Sequence, residues 1–297
     1  MRTRKWTRPA VLATAIGLTS LPAFLAFGRP GDGTPFQQLQ KQLDELRERV
    51  GELEDKCESQ TDRIAALESL LVHFSRDGDD VTISGANLHV VNGTGRTDSS
   101  NGLGNVIVGY NESRVGSPSC IVFPGLCTDD RTGSHMLVNG SFNNYSSYGG
   151  IVVGTVNTAS GAFASVSGGR DNEASGMHAS VSGGSSNHAA GFDASVSGGS
   201  GNVAGARSAS VSGGIFNAAS GPESSVSGGS LNDASGTESS VCGGTHNEAS
   251  GELASIGGGI FNEASGQVAT IGGGTERLLT SSFAWQAADL VRIDGPP

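Results

Sequence analysis

Ser180-Val181-Ser182-Gly183-Gly184-Ser185-Ser186-Asn187-His188-Ala189-Ala190-Gly191-Phe192-Asp193-Ala194 is one turn of a pattern that returns every 15 residues between Ala164 and Thr275. Val166, Val181, Val196, Val211, Val226, Val241, Ile256 and Ile271 share one column. Asn157, Asn172, Asn187, Asn202, Asn217, Asn232, Asn247 and Asn262 share another, each with alanine two residues on. A small residue and two glycines follow every member of the first column. Self-similarity of this kind marks a solenoid, whose single unit cannot bury a core but whose stacked units can.

The period selects the solenoid. Fifteen residues hold two short strands and two turns, with no room for a helix. In Ala179-Ser180-Val181-Ser182 the side chains alternate, so alanine and valine face one way and the serines the other. Glycines supply the tight turn. Asn at a fixed turn position takes the left-handed conformation, and in register the Asn side chains form a ladder. An inward column of Val, Ala and Gly makes each coil thin. The expected fold is mainly β: a narrow parallel β-roll or β-solenoid of 15-residue coils, preceded by an α-helical coiled-coil stalk.

The core Gly169-Arg170-Asp171-Asn172-Glu173-Ala174-Ser175-Gly176 resembles the head repeat of trimeric autotransporter adhesins, over roughly Asn105 to Thr275. The family repeat carries Ser or Asn at the Asn position and is usually one residue shorter. The resemblance implies a trimeric, left-handed parallel β-roll. No membrane β-barrel follows the repeats here, which departs from that family. The wording of the early repeats also resembles a class of exported, uncharacterised bacterial repeat proteins.

Composition agrees with a repeat protein: 47 glycines in 297 residues, few aromatics and a net charge of −11 do not suit an ordinary globular enzyme core. Residues 1–28 hold Arg2, Arg4, Lys5 and Arg8, no acids, and an apolar run from Ala10 to Phe27. This reads as a signal peptide ending at Ala26-Phe27-Gly28, with an uncleaved anchor as the alternative. Both place the remainder outside the cytoplasm, secreted or at the cell surface. That remainder holds 14 basic and 29 acidic residues, net −15, which disfavours nucleic acid.

After a linker at 29–35, residues 36–75 carry heptads without a skip. Phe36, Leu43, Val50, Cys57, Ile64 and Leu71 take a; Leu39, Leu46, Leu53, Gln60, Leu67 and Phe74 take d. In a parallel in-register coil Arg49 meets Glu54 and Arg63 meets Glu68 of the neighbour, both attractive. Cys57 and Gln60 interrupt the seam and can fix register. The stalk would be about 58 Å long, and a homotrimer is the expected partner state.

Residues 76–104 read as a neck, with strands at Val81–Ile83 and Leu88–Val91. Residues 105–275 read as the β-roll, interrupted by an insertion at 113–134 that carries Cys120 and Cys127. Their spacing in an exported chain suggests a disulfide; a metal pair would need further ligands, and only His135 is near. Tyr110, Phe123, Tyr145 and Tyr148 gather aromatics in this decorated region, the first place to seek a ligand surface. Residues 276–297, with Phe283, Trp285, Leu290, Val291 and Ile293, read as a cap over the open end.

No catalytic arrangement, metal site or cofactor is expected. His178, His188 and His246 fall in different repeat positions and cannot stack into one metal row. Glu173, Glu248 and Glu263 share a column with His188, Val203 and Ala218, which reads as a solvated face. The leading expectation is an exported structural or adhesive protein whose rigid head makes multivalent contact with a host, extracellular-matrix or cell-surface ligand. Two alternatives stand beside it. One is a solenoid binding ice or another crystal surface through the Ser180 and Ser182 rows; the other is an inert spacer.

Overall fold

The computed structural model describes residues 35–115 and 128–287. The chain divides into two compact units between Asn87 and Leu88.

In the first unit α1 spans Pro35–Leu70. Proline suits the first turn, where its missing N–H costs no bond. No residue of α1 is buried: Leu39 is 67% exposed, Leu46 59% and Leu53 58%. The helix stops short of the heptad pattern. Leu71 N–H closes the last turn on Leu67 O at 3.1 Å. Phe74 then enters β1 (Phe74–Asp77), antiparallel to β2 (Asp80–Ile83). Gly78, at φ 58°, opens the two-residue turn between them, a place that favours glycine. Leu71 and Phe74 thus leave the seam, because pairing of Phe74 with Ile83 takes the place of another helical turn. Val81–Ile83 lies in β2 as expected, whereas Leu88–Val91 forms no ladder.

The second unit is a parallel β-solenoid. Its first strands are β3 (Val106–Val108), β4 (Leu137–Ser141), β5 (Asn144–Tyr145) and β6 (Ile151–Thr155). Among the described residues a twelve-stranded sheet begins at β3 and a ten-stranded sheet at β5. Every later coil adds one two-residue strand to each, in register: Val181 pairs with Val166 and Val196, and Ala189 with Ala174 and Ala204. We number the coil positions 1 to 15 from Ala179 to Asp193. Positions 1, 3 and 11 are the core, with Ala179, Val181 and Ala189 fully buried.

Hydrogen bonds run from coil to coil. N–H groups at positions 2, 4, 7, 10 and 12 donate to the following coil: Ser180 to Ala194 O, Ser182 to Val196 O, Ser185 to Gly199 O, His188 to Asn202 O and Ala190 to Ala204 O, at 2.8–3.0 Å. Positions 8 and 15 point the other way. Ser186 N–H donates to Arg170 O (3.0 Å) and His178 N–H to Ala162 O (2.8 Å), both in the preceding coil. At these two corners the backbone is left-handed even for large side chains: Phe216 has φ 53°, Leu231 57° and Val268 56°. Each such residue costs about 1–2 kcal/mol relative to ordinary backbone, offset by a backbone donor that would otherwise be lost. The residue in left-handed backbone therefore precedes the Asn; the repeat asparagines from Asn157 to Asn262, expected there from sequence, are not among the positive-φ residues.

The two glycines of each coil differ. The second, as in Gly184, has φ 87°, and a Cβ there would lie 2.2 Å from Gly199 O. The first, as in Gly183, would meet nothing within 4 Å. The origin of the fifteenth residue is visible at the start of the roll, where Leu137–Ser141 pairs with Ile151–Thr155 at a step of 14 residues. Those coils place Asn139 or Val153 where later coils have Ser167-Gly168. The fifteenth residue arises within that Ser-Gly pair, and all later coils carry it, so register is kept; Gly168 O accepts from Asn172 Nδ2 as Val153 O does from Asn157 Nδ2.

The first coils are wider. Tyr145 takes position 11 and is buried beside Met136, while Gly150 leaves the space a methyl would fill. Burial raises the Tyr145 phenol above its ordinary pKa. Tyr145 N–H bonds Asp130 O (2.8 Å) and Ser134 bridges Tyr148, so contacts to the next coil are made from Asp130 onward. At the other end Leu278-Leu279 and Trp285-Gln286 pair with Glu263-Ala264 and Thr270-Ile271 as one further coil. Phe283 and Trp285, expected to cover the open end, occupy outward positions 15 and 2 and are 77% and 70% exposed. Leu290, Val291 and Ile293 lie outside the described residues.

Ser224 and Ser239 stand at position 1, where other coils have alanine, and their buried hydroxyls have no hydrogen-bond partner. Ser224→Ala should raise the unfolding free energy by about 1–2 kcal/mol. The urea midpoint checks this, and a lower midpoint would contradict it.

Candidate functional site

The Asn column forms a continuous spine. Each backbone N–H donates to Oδ1 of the Asn one coil earlier: Asn172 to Asn157 at 2.8 Å, Asn187 to Asn172 at 3.0 Å, Asn202 to Asn187 at 3.0 Å. Each Nδ2 donates twice, as Asn187 does to Gly183 O (2.9 Å) and Gly199 O (3.1 Å). The spine starts at Asn111 and Asn143 and ends where Arg277 N–H meets Asn262 Oδ1 at 3.0 Å. These Asn side chains are buried and shared between coils, so they hold the stack and offer nothing to a ligand.

What faces solvent lies on the other columns. On the larger sheet Ser165, Ser180, Ser195, Ser210, Ser225, Ser240 and Ser255 form one in-register row at position 2. The exposed row at position 4 runs through Ser182 and Ser197 but gives way to Cys242, Gly257 and Gly272. On the smaller sheet position 10 carries Glu173, His188, Val203, Ala218, Asp233, Glu248 and Glu263. His188 sits 3.9 Å from Glu173 and 2.8 Å from Ser175 Oγ. His178 is at corner 15, 3.0 Å from Asp193, and His246 is at corner 8, stacked on Phe261. The three histidines are thus on three different columns. Among the described residues no three His, Cys, Asp or Glu gather as a metal site. The grooves lined by Val91, Arg96, Thr97 and His135, and by Leu88, Val106 and Leu137, are open rather than enclosed.

Cys120 and Cys127 lie outside the described residues. Cys57 and Cys242 are free and exposed. The stems of the insertion are nevertheless firmly tied. Arg114 is 5% exposed and donates to Phe142 O (2.6 Å), Val156 O (2.7 Å), Asn157 O (2.6 Å) and Thr158 Oγ1 (2.9 Å). Arg131 reaches Asn111 O and Asp129. Burial pulls the Arg114 guanidinium below its ordinary pKa, opposed by Asp171, Asp129 and Glu173. A planar fork of donors matches carbonyls of two successive coils, which a lysine point charge does not. No repeat signals this residue in the sequence. Arg114→Met should destabilise the protein by about 2–4 kcal/mol, read from the thermal midpoint; an unchanged midpoint would show that the carbonyls find other donors.

No protein-family model matches this chain, and no curated protein does. Function therefore rests on its own surfaces.

Proposed function

We propose that this is an exported structural or adhesive surface protein. In this reading α1 assembles into a parallel coiled-coil stalk, a homotrimer by the resemblance of the repeats, and the β-roll is a rigid head for multivalent contact. The observation that carries the reading is the seam of α1: Leu39, Leu46, Leu53, Ile64 and Leu67 are all more than half exposed. A seam that long is stable in water when another helix covers it. The head contributes outward positions that differ from coil to coil on a constant backbone, so weak contacts to a host, extracellular-matrix or cell-surface ligand would add through valency. The ordered-surface alternative is weaker, because the position 4 hydroxyl row stops at Cys242.

Light scattering on the whole protein tests this. Extrapolated to low concentration, three chains are expected, falling to one when Leu46 and Leu53 are both changed to Asp. Mild oxidation should link two of the three Cys57 thiols, which the seam sets face to face at an a layer. A monomeric wild-type protein would overturn the proposal.

A further inference from the structure

The two left-handed corners carry a second pattern, independent of the core. Corner 15 returns the chain from the smaller sheet to the larger, and corner 8 takes it the other way, so they form opposite edges of the roll. Along the corner 15 edge, Phe163 and His178 at the corner itself, and Tyr148 and Phe192 one residue before it, stand on four successive coils with ring centroids 5.2, 5.5 and 5.4 Å apart. Phe163 and Phe192 are each 45% exposed. On the corner 8 edge, Phe216, Leu231, His246 and Phe261 occupy the next set of coils, flanked by Ile215 and Ile260; Phe216 is 60% and Phe261 53% exposed. Each strip begins on a left-handed glycine that makes room for a ring. A Cβ on Gly149 would meet the Phe163 ring at 2.7 Å, and one on Gly201 the Phe216 ring at 2.5 Å.

The rest of each edge is mixed. Level with Phe216 and Leu231 of the corner 8 strip, the opposite edge carries Glu223 and Glu238, followed by Leu253 and Val268; level with His178 and Phe192 of the corner 15 strip, corner 8 carries Asp171 and Ser186. Two copies packed edge to edge with their coils level would bury carboxylates against apolar side chains, which is costly. Displaced by five coils, about 24 Å at ~4.8 Å per coil, or reversed end for end, they set strip against strip. The strips also repeat at the strand spacing. An object of the same spacing stays in phase along four coils, whereas a helix with a pitch of about 5.4 Å drifts out of step.

We propose that the aromatic strip on the corner 15 edge of one copy packs against the apolar strip on the corner 8 edge of a second copy, joining their β-rolls side by side. The contact is heterologous, so it leaves one strip free on each partner and propagates. Both partners are acidic, so salt should strengthen the association by screening their repulsion.

Sedimentation velocity of the whole protein over a concentration series tests it. The wild type should show species heavier than the stalk oligomer, increasing with concentration and with salt. Phe163→Ser with Phe192→Ser removes one strip, and Phe216→Ser with Phe261→Ser the other; each variant alone should stop at the stalk oligomer. An equimolar mixture of the two variants should regain the heavier species, since each supplies the strip the other lacks. Circular dichroism of each variant verifies that the roll is intact. No heavier species in the wild type, continued assembly of a single variant, or a mixture that stays light would each overturn the proposal. If the stalk reading fails, the baseline species is a monomer, and the strip test is read above that baseline.

Discussion

Asn217→Ala is expected to lower the unfolding free energy by about 4–5 kcal/mol, several times an average substitution. Asn217 Nδ2 donates to Gly213 O at 2.9 Å and Gly229 O at 3.0 Å, and its Oδ1 accepts from Asn232 N–H at 3.0 Å. Alanine removes all three and admits no water, because the site is 1% exposed. Gly213 O and Asn232 N–H then lose their partners, while Gly229 O keeps only the Ile215 N–H at 3.0 Å. Asn217→Asp is not a remedy: it keeps an acceptor for Asn232 but sets a carboxylate against two carbonyls. Urea unfolding followed by circular dichroism measures the effect. Because coils couple only to their neighbours, a break in the middle should also split the transition, with the flanking stacks melting separately. A loss below ~1 kcal/mol with a single transition would mean that the spine contributes little to cohesion.

Gly214→Ala and Gly213→Ala, one residue apart, are expected to differ by at least about 3 kcal/mol. Gly214 has φ 90°, and a Cβ there would lie 2.2 Å from Gly229 O and 2.4 Å from Asn217 Nδ2. Relief requires the coils to move apart, which breaks the spine as well as straining the backbone. At Gly213 a methyl meets nothing within 4 Å and φ is not left-handed. There alanine should be neutral or stabilise by about 0.4–1 kcal/mol through the unfolded chain. Equal thermal midpoints for the pair would contradict the distinction between the crowded, left-handed glycine and the open one.

Much of the roll could be read from residues because the same chemistry returns at the same step. Val181, Ala189 and Asn187 each do one job, the job tolerates one side chain, and repetition exposes it. What stayed hidden is held by backbone alone. Corner 8 is Asp171, Ser186, Gly201, Phe216, Leu231, His246 and Phe261 in turn, so nothing in composition marks the left-handed residue, and the neighbouring Asn was the natural choice. In Gly183-Gly184 both residues look alike, and their difference lies in a carbonyl contributed by the next coil. The end of α1 was obscured because Phe74 fits both a heptad and the strand beside Ile83. Arg114 is a single residue contacting carbonyls 28 to 43 positions away, with no periodic trace. The outward rows were legible as rows, but the offset of the two apolar strips emerges once corners 8 and 15 are placed on opposite edges.

The bonds between coils all lie along the long axis of the roll, and this sets how it would respond to a pull. Tension applied between its two ends loads the coils in series: each junction bears the full force, and the weakest yields first. Each released coil of 15 residues would lengthen the chain by roughly 45 Å, while the remaining stack keeps its bonds until its own turn comes. A head anchored at one end and attached at the other would therefore extend stepwise, dissipating load coil by coil instead of letting go at once.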